Sequence, residues 1–404
     1  MTSSGTIFRT NDRSYPETHP WLSFQLDLRQ APPELWLLLG EARSKIQHLS
    51  ESLLAPETGD RLRRLYLAKG VHATTAIEGN TLSEEEVAEH LAGHLKVPRS
   101  QEYLTREVDN IVTAYNSIAN ELFDGGSREL TPEKIQEYNH LILDGLEVEE
   151  GVVAGGLATK RPGVGRYLSP PREDCDFLLE RLCQWLNNDF KAPTEDMAIP
   201  YAIIKAVIAH LYIAWIHYFG DGNGRTARCV EVQILAATGL IPTPAGHLLS
   251  NHYNITRDEY YRQLDASSRE HMGDPVPFLV YAVKGFVEEL RAQLEIVWNQ
   301  LFADRWEQHI YQQFGDAKTP PHIRQRQLVL DLSKRNEAVP RSEIRELSPK
   351  VAVAYAERGE KTLTRDLNAL IKRGLIKQDA AGYGPLREKI LTMMPPLPHT
   401  ESLE

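Results

Sequence analysis

The longest apolar stretch of the chain, residues 199–216 (IPYAIIKAVIAHLYIAWI), is apolar nearly all round and is interrupted only by Lys205 and His210. That pattern predicts a helix buried on most sides rather than one with a broad solvent face. A second helical pattern runs from Arg225 to Thr238, with Val230, Ile234, Leu235 and Ala237 on its face and Gly239 placed to stop it. Upstream, residues 1–31 are polar and turn-rich, an extended arm laid over the domain. Pro32-Pro33 then open a helical pattern to about Leu54, and Asp60 begins another through Leu62, Leu65, Leu67 and Ala68 that runs into Thr74-Thr75-Ala76-Ile77-Glu78-Gly79-Asn80. Ser83 with Glu86 makes a capping-box pattern. Helices follow from about Gln101 to Phe123 and, after Thr131-Pro132, to about Asp144. Glycines and prolines break the period over residues 145–172. Further on, a long helix from about Pro275 to Gln312 closes the core, and Gly315–Pro321 (GDAKTPP) reads as a linker. Shorter helices at Arg326–Arg335, Ser342–Leu347 and Thr362–Lys372 precede a turn at Gly382-Tyr383-Gly384. The fold predicted is mainly α.

Between the two central helices stands His217-Tyr218-Phe219-Gly220-Asp221-Gly222-Asn223-Gly224-Arg225-Thr226-Ala227-Arg228. A glycine loop that opens a helix presents unpaired N–H groups and the positive end of a macrodipole, a ready site for phosphate oxygens. Gly222 and Gly224 let the backbone come close. Arg225 and Arg228, three apart, share one helix face and add guanidinium forks for further phosphates. Asp221 supplies the hard carboxylate oxygen that Mg²⁺ prefers beside phosphate and water, and His217 is a base that titrates near neutral pH. A packing turn has no use for an acid and two arginines around glycines, so the set points to phosphoryl-type chemistry on a nucleotide. A Walker loop and a dinucleotide fingerprint are excluded, because both follow a strand and this loop follows a helix.

These residues resemble the Fic family, whose signature HxFx(D/E)GNGRxxR is filled by His217, Phe219, Asp221, Gly222, Asn223, Gly224, Arg225 and Arg228. Tyr218 departs from it, standing where most members carry proline. The resemblance implies a Fic helical core with a short β-hairpin flap and transfer of AMP from ATP to a hydroxyl side chain of a target protein or of the enzyme itself. His217 would be the base and Asp221 would hold Mg²⁺. The Gly222–Gly224 amides and Asn223 would bind the α- and β-phosphates, and Arg228 would reach the γ-phosphate. From spacing alone Glu78 is a solvated carboxylate at a helix end. Thr74 to Gly79, however, match the (S/T)xxxE(G/N) motif of autoinhibited members with an N-terminal inhibitory helix, so Glu78 is expected to pair with Arg228 and Thr74 to steady it. Residues 145–172 would hold the flap, ending Gly165-Arg166-Tyr167-Leu168-Ser169-Pro170-Pro171. Tyr261 and Leu264 stand at helical spacing, as pocket walls near the nucleotide base or as core. His90 and His94, ringed by glutamates, read as a solvated helix face rather than a metal pair.

Composition refines this picture. The 404 residues carry a net charge of −11, which argues against nucleic-acid binding by the whole chain. Residues 321–404 nevertheless hold 15 Lys and Arg against 11 Asp and Glu, a net +4 that leaves −15 for residues 1–320. That tail resembles a winged helix, with Thr362–Lys372 as recognition helix and Lys377–Arg387 as wing, a module that binds DNA or docks a protein or a second copy. The domains expected are an N-terminal arm and inhibitory region (1–100), the catalytic core (101–314) and the winged helix (321–404). Cys175, Cys183 and Cys229 fit free thiols in a cytoplasmic protein, and no signal peptide or membrane span is expected. Three alternatives stay open: transfer of another phosphate-linked group, removal of AMP with Glu78 aligning a water, and a nucleotide sensor regulating DNA binding by the tail.

Overall fold

The computed structural model describes residues 13–390 apart from 53, 55, 165, 166 and 336. The first residues of the expected arm, Gly165 and Arg166 of the flap, and residues 391–404 of the tail lie outside them. The helices in chain order are α1 (Tyr15–Thr18), α2 (Pro33–Glu51), α3 (Pro56–Ile77), α4 (Glu84–Leu91), α5 (Glu102–Phe123) and α6 (Pro132–Leu143). The pairing strands β1 (Gly163–Val164) and β2 (Tyr167–Leu168) come next, antiparallel, with Gly163 opposite Leu168. Then come α7 (Arg172–Asn188), α8 (Ala198–Ile216), α9 (Asn223–Ala236), α10 (Thr243–Gly246), α11 (Leu248–Ile255), α12 (Arg257–Arg269) and α13 (Val276–Phe314). The chain continues with α14 (Pro320–Leu332), α15 (Pro349–Tyr355), α16 (Glu360–Arg373) and a hairpin of β3 (Ile376–Gln378) and β4 (Tyr383–Pro385).

The chain divides into two compact units, one up to Glu295 and one from Ile296, so the division falls inside α13. The stretch expected apart as 1–100 belongs to the first unit, where α3 packs on α4, α5, α9 and α11. The second unit begins before the expected 321, because Trp306, Ile310 and Phe314 at the end of α13 join its core with Leu328, Leu332 and Leu367. The expected linker is also shorter. Pro320 sits in the first turn of α14, where a missing N–H costs nothing, so the helix begins several residues ahead of Arg326.

In the first unit α8 is the central rod. Fifteen of its 19 residues are buried, and it packs on α2, α7 and α9. It is long and apolar enough to cross a membrane, but most of it is covered by other helices of the core. Ser83 caps α4 as expected: its Oγ accepts from Glu86 N–H while the Glu86 carboxylate accepts from Ser83 N–H. His90 bonds Asp109 through Nε2 at 2.8 Å and His94 lies beyond the end of that helix, so the two do not form a metal pair.

In the second unit a buried carboxylate ties three helices. Asp366 on α16 has no solvent exposure and accepts from Arg324 Nε at 2.6 Å, Gln325 Nε2 at 2.8 Å and Tyr355 Oη at 2.9 Å. Removing it strands a guanidinium that is itself buried. Asp366→Ala should therefore destabilise the second unit by about 3–5 kcal/mol. Urea unfolding of the full chain, followed through Trp306 fluorescence, should show an earlier transition than in the parent; an unchanged midpoint would contradict this account.

Candidate active site

The buried helix α8 ends at His217, which takes the left-handed conformation (φ 48°, ψ 52°) while its N–H still bonds the Ile213 carbonyl at 2.9 Å. A non-glycine residue there is strained, and Tyr218 and Phe219 hold it in place. Tyr218 is buried; its hydroxyl donates to Asp176 Oδ1 at 2.7 Å and accepts from Gln136 Nε2 at 2.9 Å, and its carbonyl accepts from Ala158 N–H at 3.0 Å. The tyrosine thus anchors the turn by hydrogen bonds. Phe219 is fully buried. The His217 ring donates from Nδ1 to the Ala214 carbonyl at 3.3 Å, since a carbonyl only accepts, and this leaves the Nε2 lone pair free for the cavity. Burial pulls the imidazole pKa below 6.5, against the Ala214 carbonyl and the charges of Glu78 and Asp221, so the ring is neutral at neutral pH.

Gly222 caps α9 with φ 76°, and a Cβ there would lie 2.9 Å from Asn139 Nδ2. That Asn139 amide donates to the Asp221 carbonyl at 2.9 Å and Thr226 Oγ1 at 3.2 Å, and its Oδ1 accepts from Gly155 N–H at 2.9 Å. The Asn223 side chain does not reach for a ligand as expected. Its Oδ1 accepts from Phe219 N–H at 3.0 Å and its Nδ2 donates to the Phe219 carbonyl at 2.7 Å, closing the loop on itself. Its backbone N–H, with that of Gly224, remains among the orphan donors of the helix start. Arg225 also departs from expectation. Three-residue spacing allows it to share a face with Arg228, but Asp221 (Oδ1, 3.2 Å) and Glu107 on α5 (Oε1, 3.5 Å) draw its guanidinium away, and it does not line the cavity.

Arg228 has no solvent exposure. Its Nε donates to Thr74 Oγ1 at 2.8 Å, and its Nη2 donates to the Thr74 carbonyl at 3.0 Å and to Glu78 Oε1 at 2.6 Å. Nη1 is buried without a partner among the described residues. Burial pushes the Glu78 carboxyl up, but the Arg228 charge and hydrogen bond, with Arg225 and Arg257 farther off, outweigh it and hold the pKa below the usual range. A Cβ on Gly224 would lie 2.5 Å from Glu78 Oε1, so this carboxylate rests directly over the first turn of α9.

The cavity in front of these groups measures about 730 Å³ and is walled by Tyr167, Trp215, Tyr260, Tyr261 and Leu264. Both residues expected as walls, Tyr261 and Leu264, are there. Tyr260, not expected, is backed by a buried network. Its hydroxyl bonds His210 Nε2 at 2.8 Å, His210 Nδ1 lies 3.1 Å from Glu231 Oε1, and Tyr253 Oη donates to that same oxygen at 2.9 Å. Asp221 is half exposed; its Oδ1 accepts from Gly222 N–H at 2.5 Å. No group of three or more His, Cys, Asp or Glu side chains that could hold a metal occurs among the described residues. Mg²⁺ bound with phosphates needs only one or two carboxylates, and Asp221, whose Oδ2 makes no hydrogen bond or ion pair among the described residues, fits that demand.

Residues 129–235 match the Fic/DOC family, which covers the loop and the helices that carry it. The chain is similar to the Fic/DOC family over that segment. It is 28% identical over 244 residues to "Protein adenylyltransferase fic-1" of Caenorhabditis elegans and 24% identical over 261 residues to "Protein adenylyltransferase Fic" of Nematostella vectensis. Those alignments cover 60% and 63% of this chain but only 44% and 56% of the relatives. In fold it is similar to a Fic family protein of Desulfovibrio desulfuricans (TM-score 0.55, 19% identity, 87% of this chain and 93% of that one). It is likewise similar to a fragment of Fic-1 from C. elegans (TM-score 0.52, 24% identity, 66% and 72%).

The expected hairpin is short, and its second strand is engaged by the N-terminal segment. His19 Nε2 bonds the Leu168 carbonyl at 2.8 Å, and its ring lies 6.0 Å from that of Tyr167. Asn139, His19, Tyr260, His210 and Glu231 were not singled out from the sequence. Only His210 left a trace, as a polar break in an apolar helix whose hydrogen bonds have to be found somewhere.

The sign of the Glu78 shift sets a pH dependence. A depressed folded pKa means the Glu78–Arg228 pair stabilises the chain above the unfolded carboxylate value of about 4.3 and stops doing so as pH falls through the folded value. Glu78→Gln should cost about 1–3 kcal/mol at neutral pH, and the difference from the parent should shrink toward zero in the acid range. Urea denaturation of both proteins across pH checks this; a cost that is independent of pH would contradict the charged pair.

Proposed function

We propose that this protein is an autoinhibited, Mg²⁺- and ATP-dependent protein adenylyltransferase. The observation that carries the reading is one arrangement: a left-handed His217 with Nε2 free, facing across a single cavity the start of α9, which Glu78 covers. In the active cycle the acceptor hydroxyl of a target protein, or of this chain, gives its proton to His217 Nε2 as its oxygen attacks the α-phosphorus. The bond from that phosphorus to the oxygen bridging the β-phosphate breaks, and pyrophosphate leaves. The N–H groups of Asn223 and Gly224 face the phosphates, and Asn223 and Asn139 keep the loop in shape for them. Mg²⁺, held by Asp221 with phosphate oxygens and water, would supply charge neutralisation on the polyphosphate. Tyr260, Tyr261 and Leu264 form the walls suited to a nucleoside base. The likeness to proteins named adenylyltransferases favours AMP over other phosphate-linked groups.

Inhibition on this reading is an occupied-site effect. Arg228 has one guanidinium edge on Thr74 and Glu78 and its Nη1 unpaired, so a γ-phosphate gains the arginine only when Glu78 leaves. Glu78→Gly should raise AMP transfer at least about tenfold, the equivalent of ~1.4 kcal/mol, and only while His217 is intact. His217→Ala should abolish transfer and leave ATP binding largely unchanged, because it removes the base and no phosphate contact. Labelling with ATP carrying a radioactive α-phosphate reads all three proteins; equal rates for parent and Glu78→Gly would overturn the autoinhibition. Loss of AMP removal in Glu78→Gly would instead assign Glu78 to positioning a water.

A second role is proposed for the C-terminal unit, read as a winged helix. On α16 the side chains of Lys361, Arg365 and Lys372 are exposed and make no ion pair among the described residues, which favours a phosphate backbone as partner. A mobility shift with duplex DNA should be lost on raising salt and in Arg365→Ala; no shift at low salt would point to a protein partner.

A further inference from the structure

The α8–α9 pair carries a second cavity at its other end. Lys205 stands twelve residues before His217 on α8, so it lies roughly 18 Å from the catalytic histidine along the helix axis. The cavity there measures about 290 Å³. Its apolar walls include Leu130, Phe190 and Ile234, and the first turn of α8 borders it through Ala198, Tyr201 and Ala202.

Three nitrogen donors border this space without hydrogen-bond or ion-pair partners among the described residues. Gln233 is 1% exposed; its Oε1 accepts from Tyr138 Oη at 3.0 Å, and its Nε2 is buried with no hydrogen-bond partner. With the oxygen spent on Tyr138, which does not line the cavity, Nε2 is the end of that amide left for it. Lys205 is half-buried and makes neither ion pair nor hydrogen bond among the described residues, although the exposed Glu129 carboxylate acts on it from a distance. Arg128 is exposed at the mouth, with Nη2 3.9 Å from where a Cβ on Gly239 would stand. Three of the carbonyls at the end of α9, which would repel an anion, already accept hydrogen bonds. The Gln233, Leu235 and Ala236 oxygens accept from the N–H groups of Ala237, Thr238 and Gly239. Two cations, an orphan amide and the positive end of a 19-residue helix therefore surround an apolar space with no bonded acceptor among them.

We propose that this cavity is a binding site for an organic oxyanion, a carboxylate or phosphate monoester carrying a short apolar or aromatic group. Its charged end meets Lys205 and Gln233 Nε2, with Arg128 closing the mouth, and its apolar part lies against Leu130, Phe190 and Ile234. The site is distinct from the nucleotide cavity and does not rest on the adenylyltransferase reading. It sits on the two helices that carry His217 and Arg228.

Isothermal titration of the full chain with phenylacetate and with phenyl phosphate tests this, with benzyl alcohol as the neutral counterpart. At least one anion should bind with a Kd of about 1 mM or tighter, the neutral compound at least about tenfold more weakly, and saturating ATP should not displace the anion. Which anion binds distinguishes carboxylate from phosphate recognition. Lys205→Met should weaken binding at least about tenfold while leaving the thermal melt unchanged or raised, since it removes an unpaired, half-buried charge. Arg128→Ala, an exposed position, serves as the second variant and should weaken binding severalfold. No binding of either anion at about 10 mM, displacement by ATP, or unchanged affinity in both variants would overturn the proposal.

Discussion

A guanidinium with no solvent exposure cannot stand alone in a protein core, and the geometry of this site derives from how Arg228 is satisfied. Desolvation of the charge is offset by Thr74, which offers both its hydroxyl and its carbonyl, and by the Glu78 carboxylate at 2.6 Å. Both partners come from the last turn of α3 and its exit, about 150 residues away in sequence. The pairing therefore joins α3 to α9 and places a carboxylate over Gly224. Thr74 supplies two of the three bonds, so Arg228 does not depend on Glu78 alone.

The second constraint is the strained turn after α8. His217 at positive φ turns the chain out of the helix while its ring stays bonded to the Ala214 carbonyl, and three residues of the loop offset the cost. Tyr218 is fixed by Asp176 and Gln136, Phe219 is buried, and Asn223 closes the loop through both ends of its amide. In the place where the family usually has proline, this chain holds the same bend with side-chain hydrogen bonds. Side chains of Asn139, Asn223 and Arg225 hold the loop, which leaves the backbone N–H groups at the start of α9 as the donors that the proposed function gives to phosphate.

The central helices and the reactive loop were legible in the sequence because they are contiguous. An all-apolar run, a glycine loop and a helix start carry their signals within one short stretch of chain, and the physics that reads them is local. Glu78 was legible only through family resemblance, since spacing alone makes it a solvated carboxylate. Asn223 was assigned to ligand contact through the family resemblance and Arg225 through helix spacing, and neither tells which neighbouring group claims the side chain. Phe219 claims the first, and Asp221 with Glu107 claims the second. Asn139, His19 and the His210–Glu231 network depend on pairings 16 to 149 residues apart and gave little local signal. In the second unit α16 and the body of α14 were legible, but α15 was not expected, the helix expected from Ser342 is a 3-10 turn (Arg341–Glu346), and the start of α14 was placed late because its two prolines were taken for linker rather than for the first turn of a helix.

On the proposed reading Glu78 and the γ-phosphate compete for one guanidinium, and the affinity ratio between ATP and ADP measures that competition without any turnover. Titrating both nucleotides into the parent protein and into Glu78→Gly, each carrying His217→Ala to silence transfer, isolates it. The account predicts near-equal Kd values for ATP and ADP in the Glu78-containing protein and ATP at least about tenfold tighter than ADP once Glu78 is gone. The same ATP-to-ADP ratio in both proteins would contradict it.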